Sequence, residues 1–102
     1  MITRIVRMEF DPAKVQDFLA VFEGSKHLIR NFPGVQRLEL HRDASQHNVY
    51  YTVSEWSGEE ALEAYRTSEL FAAVWAQTKV LFAGKPMAFS LTLADSVQNT
   101  GA

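Results

Sequence analysis

Residues 48–71 read NVYYTVSEWSGEEALEAYRTSELF, and the fold turns on this stretch. Its first part alternates, with Val49, Tyr51 and Val53 opposite in phase to Tyr50, Thr52, Ser54 and Trp56, which predicts a strand over 48–56. Then the period changes. Ser57-Gly58-Glu59-Glu60 has the form of a capping box, in which Ser57 caps a helix and Glu60 reaches back. A short helix is expected at 58–66, carrying Ala61, Leu62 and Tyr65. Thr67-Ser68 interrupts it and can cap a new helix at 69–82, where Leu70, Phe71, Val74, Trp75, Thr78, Leu81 and Phe82 form one stripe. Gly84 and Pro86 supply the stop.

Outward from this stretch the other elements follow. Residues 2–10 read as a strand with Ile2, Val6, Met8 and Phe10 on one face and Arg4 as the exception on it. Asp11-Pro12 starts a helix at 12–31, since Asp accepts from a free amide and Pro at the first position forfeits no hydrogen bond. Val15, Phe18, Leu19, Phe22 and Ile29 give its apolar side, and Pro33-Gly34 ends it. Residues 35–43 make the second strand, Asp43 to Gln46 a polar hairpin loop, and Met87, Phe89, Leu91 and Leu93 alternate in a last strand. The order is βαββαβ with the second helical stretch broken, which predicts an α+β ferredoxin-like sandwich: an antiparallel sheet with helices on one face. The domain is expected over 1–94, with a loose polar tail at 95–102.

The sheet face without helices is expected to carry Thr3, Ile5, Arg7, Glu9, Arg37, Glu39, His41, Tyr50, Thr52, Trp56, Ala88, Ser90 and Thr92. That mixed aromatic and polar set suits a homodimer interface, the alternative being a solvated sheet face. With 102 residues the chain affords one core, and a second copy is the available cover.

Composition excludes several chemistries. There is no cysteine, hence no disulfide, thiolate metal site or cysteine nucleophile. A net charge of −2 gives no footprint for nucleic acid or an anionic membrane. The longest apolar run is residues 70–76, too short to span a bilayer, and residues 1–9 lack the form of a signal peptide, so a cytoplasmic protein is expected. The five glycines are isolated and form no phosphate loop, and no Gly-x-Ser-x-Gly elbow is present. His41 and His47 flank the hairpin loop. If Leu38 and Leu40 share a face with Val49 and Tyr51, paired positions sum to an odd number and the two histidines face apart, so no metal site is expected. Glu59, Glu60 and Glu63 are accounted for by the helix dipole.

An aromatic set remains. Tyr51, Tyr65 and Trp75 are expected to project between sheet and helices, with Phe18, Phe22, Phe71 and Phe89. The phenylalanines read as core. Buried tyrosine and tryptophan need partners for their O–H and N–H, so with Arg4 they either belong to the core or line a pocket for a flat aromatic ligand.

The run Glu55-Trp56-Ser57-x-Glu59-x-Ala61-Leu62-x-Ala64-Tyr65-x-x-Ser68-x-x-Phe71, with Phe32-Pro33-Gly34 before the second strand, resembles the antibiotic biosynthesis monooxygenase domain family over residues 2–94. The resemblance implies a dimeric α/β barrel, in which the open sheet face pairs with a second subunit and each subunit holds a pocket between sheet and helices. Members of that family oxidise polycyclic phenols or quinols with O2 and neither metal nor flavin, cleave haem, or isomerise a sugar phosphate. The positions of the haem-cleaving branch's asparagine, tryptophan and iron-ligating histidine correspond to Thr3, Tyr65 and Trp75 here, so the iron ligand is missing. Other members carry histidine where this chain has Tyr65 and Leu70.

The expected function is therefore cofactor-independent oxidation of a small aromatic or quinol-type molecule with O2. Arg4 would stabilise a substrate anion, and Tyr65 and Tyr51 would hydrogen-bond substrate oxygens. Trp75 would stack on its ring, with Phe22 and Phe71 beside it. The alternative is a non-catalytic dimeric module of the same fold that binds a small ligand or acts as a scaffold. An isomerase would need cations beyond Arg4, and Arg66 and Lys79 read as solvated helix residues.

Overall fold

A computed structural model gives the fold and describes residues 1–99 and 101. The elements are β1 (Ile2–Glu9), a 3-10 turn at Pro12–Lys14, α1 (Val15–Arg30), β2 (Val35–Arg42), β3 (Val49–Trp56), α2 (Glu59–Arg66), α3 (Glu69–Lys79) and β4 (Met87–Leu91). The sheet order is β2-β3-β1-β4 with antiparallel neighbours, which is the split βαβ arrangement of a ferredoxin-like sandwich. β1 lies at the centre and pairs with both β3 and β4.

Local chemistry sets the element boundaries. The Asp11 carboxylate accepts from the Ala13 amide at 2.9 Å, with Pro12 at the first helical position. Gly34 has φ +91°, so the turn into β2 requires a glycine. A Cβ there would overlap that of Ala61 and lie 2.9 Å from the Ser57 hydroxyl. This close approach, with the Ser57 amide donating to the Gly34 carbonyl at 2.8 Å, docks the end of α1 onto the start of α2. The Ser57 capping box is not formed: Gly58 occupies the N-cap and no side chain caps α2. The Ser57 backbone is instead engaged by the Gly34 turn. Ser68 does cap α3, accepting from the Phe71 amide at 3.1 Å.

α3 stops at Lys79 rather than residue 82, because Phe82 leaves the helix to bridge Phe10 across the sheet end. β4 stops at Leu91 rather than Leu93, because Leu91 already pairs with Thr3 near the beginning of β1. Residues 92–99 and 101 form no regular element, and Thr100 and Ala102 of the expected tail lie outside the described residues.

The expected phase of two strands is reversed. β1 pairs Ile2 with Trp56, Arg4 with Ser54, Val6 with Thr52 and Met8 with Tyr50. Directly paired residues share a face, so Tyr50, Thr52, Ser54 and Trp56 point toward the helices, while Tyr51 and Val53 point to the open side. Leu38 pairs with Ser54 and Leu40 with Thr52, so paired positions sum to an even number and the parity argument for the histidines does not hold. His47 lies in the exposed turn outside the ladder, and His41 stands on the open face beside Glu39 at 2.9 Å. In β4, Ala88 and Ser90 point inward and Met87, Phe89 and Leu91 outward. The reason is Trp56: it is the largest residue of β3 and 1% exposed, and its burial carries Ser54, Thr52 and Tyr50 inward with it.

Two clusters make the core. Ile2, Val35, Trp56 and Leu62 close one end, and Met8, Phe10, Phe18 and Tyr50 the other. Phe10 and Phe18 stack at 4.1 Å between centroids. Between the clusters the layer is hollow.

Candidate functional site

The hollow is a cavity of about 360 Å³ between the sheet and all three helices. Ligand pockets start at about 300 Å³, and an apolar cavity of about 150 Å³ already holds benzene, so there is room for fused rings. β1 contributes Arg4, Val6 and Met8 to its lining, and β3 contributes Thr52, Ser54 and Trp56. Phe22 and Ser25 come from α1, Tyr65 and Arg66 from α2, and Phe71, Val74, Trp75 and Thr78 from α3.

The helix break builds the aromatic wall. Because α2 ends at Arg66 and Ser68 restarts α3, Tyr65 and Phe71 meet edge to face at 5.2 Å instead of lying along one axis. Phe71 and Trp75, one helical turn apart, stack at 5.8 Å with planes 10° from parallel. Tyr65 also touches Phe32 at 5.3 Å and Trp56 at 5.0 Å. The Trp56 Nε1–H donates to Ser54 Oγ at 2.9 Å, the Thr78 hydroxyl to the Val74 carbonyl at 2.8 Å, and Ser25 Oγ to the Val21 carbonyl at 2.8 Å. Those polar atoms are internally satisfied. By contrast, no protein group hydrogen-bonds the Tyr65 hydroxyl or Trp75 Nε1 among the described residues, and since no buried donor is left unpaired, both are accessible from the cavity they line.

Charge on the lining has one sign. Arg4 and Arg66 line the cavity, and no aspartate, glutamate or histidine does. Arg4 Nη1 donates to Ser90 Oγ at 2.8 Å. Burial, and then the neighbouring Arg66 charge, hold the Arg4 guanidinium below its ordinary range, without removing its charge near neutrality. Burial pushes the Tyr65 phenol up to about 12. Tyr65 is thus a neutral donor at physiological pH and unsuited to act as a phenolate base.

Of the residues singled out in the sequence, Arg4, Tyr65, Trp75, Phe22 and Phe71 come together here. Tyr51 does not. It faces away, and its hydroxyl donates to the Asp43 carboxylate across the hairpin loop at 3.4 Å. Phe89 likewise lies on the open face, 46% exposed. The sequence reading set Arg66 aside as a solvated helix residue and missed Trp56, Ser54 and Thr52. The usable signal for the last three was the size of Trp56, which fixes the inward phase of its whole strand. Among the described residues no group of three or more His, Asp or Glu side chains is placed to hold a metal ion, and no helix is long and apolar enough to cross a membrane.

Comparison with known proteins places this geometry in context. A family model described as antibiotic biosynthesis monooxygenase matches residues 1–77. No curated protein matches the chain. Among solved structures, one described as an antibiotic biosynthesis monooxygenase from Caulobacter crescentus CB15 is 24% identical, with a TM-score of 0.84 over 92% of this chain and 90% of that one. One so described from Nitrosomonas europaea is 12% identical, with a TM-score of 0.85 over 93% and 100%. A variant of SnoaB, a cofactor-independent oxygenase from Streptomyces nogalater, is 18% identical, with a TM-score of 0.83 over 96% and 97%. At these identities the structures show a shared fold.

Proposed function

The chain belongs to the antibiotic biosynthesis monooxygenase family, and from that membership we propose that it oxidises a small aromatic or quinol-type substrate with O2, in the cavity between sheet and helices and without a cofactor. The observation that carries this reading is the lining: an aromatic wall, two cations and an unpaired phenol, with no carboxylate or imidazole. Such a site holds a flat electron-rich ring and stabilises negative charge on its oxygen. It has no strong base of its own.

The substrate supplies the electrons. Arg4 lowers the pKa of a substrate phenol or enol by stabilising its anion, an effect strengthened where water is sparse. Tyr65 donates a hydrogen bond to a substrate oxygen, Trp75 and Phe71 pack on the ring, and Phe22 closes the far side. For an anthrone the balance is one substrate plus one O2 giving one quinone and one water: the methylene carbon becomes a carbonyl, and the second oxygen atom leaves as water with both hydrogens. We include in the proposal a single domain over residues 1–94 and a homodimer through the open sheet face. That face carries Ile5, which pairs with both Val53 and Phe89 across three strands, and Met87, Phe89 and Leu91 are 46–48% exposed on it. Its rim has the charged pairs Arg37–Glu39 at 3.4 Å and Arg37–Glu55 at 3.7 Å.

The lack of a carboxylate or imidazole to serve as general base in the lining favours one second reading, a dimeric module that binds a small aromatic without turnover. Oxygen uptake over a panel of quinols and anthrones separates the two. Oxidation is expected to fall about 10²–10³-fold in Arg4→Ala, the loss typical of removing one group that stabilises an oxyanion, and less in Tyr65→Phe. Turnover unchanged in both variants would remove these residues from the mechanism. Saturable binding with no oxygen uptake would establish the second reading.

A further inference from the structure

Of the sheet's arginines, Arg4 and the exposed Arg42 have no carboxylate partner among the described residues, and Arg4 is the one that lines the cavity. Arg7 lies 3.9 Å from Glu9, and Arg37 lies within 3.7 Å of two carboxylates. Arg4 has no carboxylate within 4.0 Å among the described residues, and the partner of its guanidinium is the neutral Ser90 hydroxyl. It projects from the centre of the sheet into an apolar cavity that Arg66 also lines. Arg66 is tied to Glu63 at 3.4 Å, but that pair is roughly half exposed and weak. Two guanidiniums share one concavity without a compensating acid in its lining. Their mutual repulsion and the partial desolvation of Arg4 disfavour the empty state, and the depressed proton affinity of Arg4 has the same two causes.

A phenol only partly answers this arrangement, being mostly neutral at physiological pH. A carboxylate is fully ionised, and its two oxygens match the planar fork of a guanidinium. Resting on the reading of the cavity as an aromatic-binding site, we propose that its ligand is an aromatic acid: the ring lies against Tyr65, Phe71 and Trp75, and a ring-attached carboxylate bridges Arg4 and Arg66. The Tyr65 hydroxyl and Trp75 Nε1 remain for the ligand's neutral oxygens. The carboxylate thereby fixes which edge of the ring faces β1, so the acid group sets orientation and substrate choice as well as affinity.

The test compares naphthalene-2-carboxylate with the isosteric neutral amide, naphthalene-2-carboxamide, by isothermal titration into the full chain. The carboxylate is expected to bind about tenfold to a hundredfold more tightly than the amide, in line with the strength of charge-assisted pairs. Arg4→Gln abolishes that preference, the carboxylate losing about tenfold or more in affinity beyond whatever the amide loses. Arg66→Gln, a change at a half-exposed position that leaves the fold intact, reduces the preference in part. Lys79→Gln, an exposed change outside the cavity, leaves it unchanged. Equal, saturable binding of acid and amide to the wild type overturns the anion site while the aromatic cavity stands. If neither ligand binds, the cavity reading fails and the inference with it.

Discussion

Tyr65→Phe separates a residue that holds the fold from one held ready for a ligand. The Tyr65 ring packs against Phe32, Trp56 and Phe71 at 5.0–5.3 Å, and phenylalanine keeps all of these contacts. What it removes is a hydroxyl that burial of the ring disfavours in its ionised form and that no protein group hydrogen-bonds among the described residues. No buried side-chain donor or acceptor is left unpaired among the described residues, so this hydroxyl has access to the water of the cavity. Its loss exchanges a water-accessible polar group for apolar surface inside the cavity, and Tyr65→Phe should stabilise the free protein slightly, by about 0.5 kcal/mol. For a domain of this size that raises Tm by roughly 2–4 °C. Urea unfolding at fixed protein concentration, followed by circular dichroism, measures the change directly. A tyrosine with a structural hydrogen bond would show the opposite sign, a loss of about 0.5–1.5 kcal/mol. A loss in that range would refute the claim that this hydroxyl is reserved for a ligand. Together with weaker binding of oxygenated aromatics, a gain would show a site that gives up stability for function.

Other outcomes follow from the same geometry. Gly34→Ala places a Cβ into Ala61 at a backbone angle that L-residues avoid, so a loss of about 2–5 kcal/mol is expected from strain and overpacking together; Tm within a degree of wild type would refute the docking of α2 on that turn. The absorbance titration of wild type minus Tyr65→Phe should have its midpoint near 12 rather than 10.0. Since the folded value is the higher, stability is full below pH 10 and falls as pH rises from about 10 toward 12; a midpoint near the ordinary tyrosine value would show an exposed phenol. Phe89→Asp places a charge in the middle of the apolar stripe on the open face and should convert a dimer into a monomer in sedimentation, whereas a wild type that sediments as a monomer would contradict the proposed pairing.

How far the sequence could be read depended on which physical signal dominated at each element. The order of strands and helices was legible because turn and cap chemistry is local: Asp11-Pro12, Pro33-Gly34 and Ser68 act where they stand. The broken second helix was legible for the same reason, and with it the juxtaposition of Tyr65, Phe71 and Trp75. The phase of β3 and β4 was not, because both faces of these strands carry apolar residues and alternation alone does not say which set goes inward. Trp56 decides β3 by size, and pairing to β1 then decides β4. That one error sent Tyr51 and Phe89 to the wrong side. Arg4, an exception by period, was legible as a cation on an inner face that demands either a partner or space, and it has both, the Ser90 hydroxyl and the cavity. Arg66 was read as a solvated helix residue because nothing in a helix's own sequence tells that its last residue also overlooks a hollow.

The most direct test of the central claim is isotopic. A hydroxylated anthrone is turned over under oxygen-18 gas in unlabelled water, and the product quinone is examined by mass spectrometry. The account predicts enzyme-dependent product carrying a single labelled oxygen, with formation strongly diminished in Arg4→Ala. Product formed at the same rate without the protein, or product whose new oxygen comes from water, would contradict it.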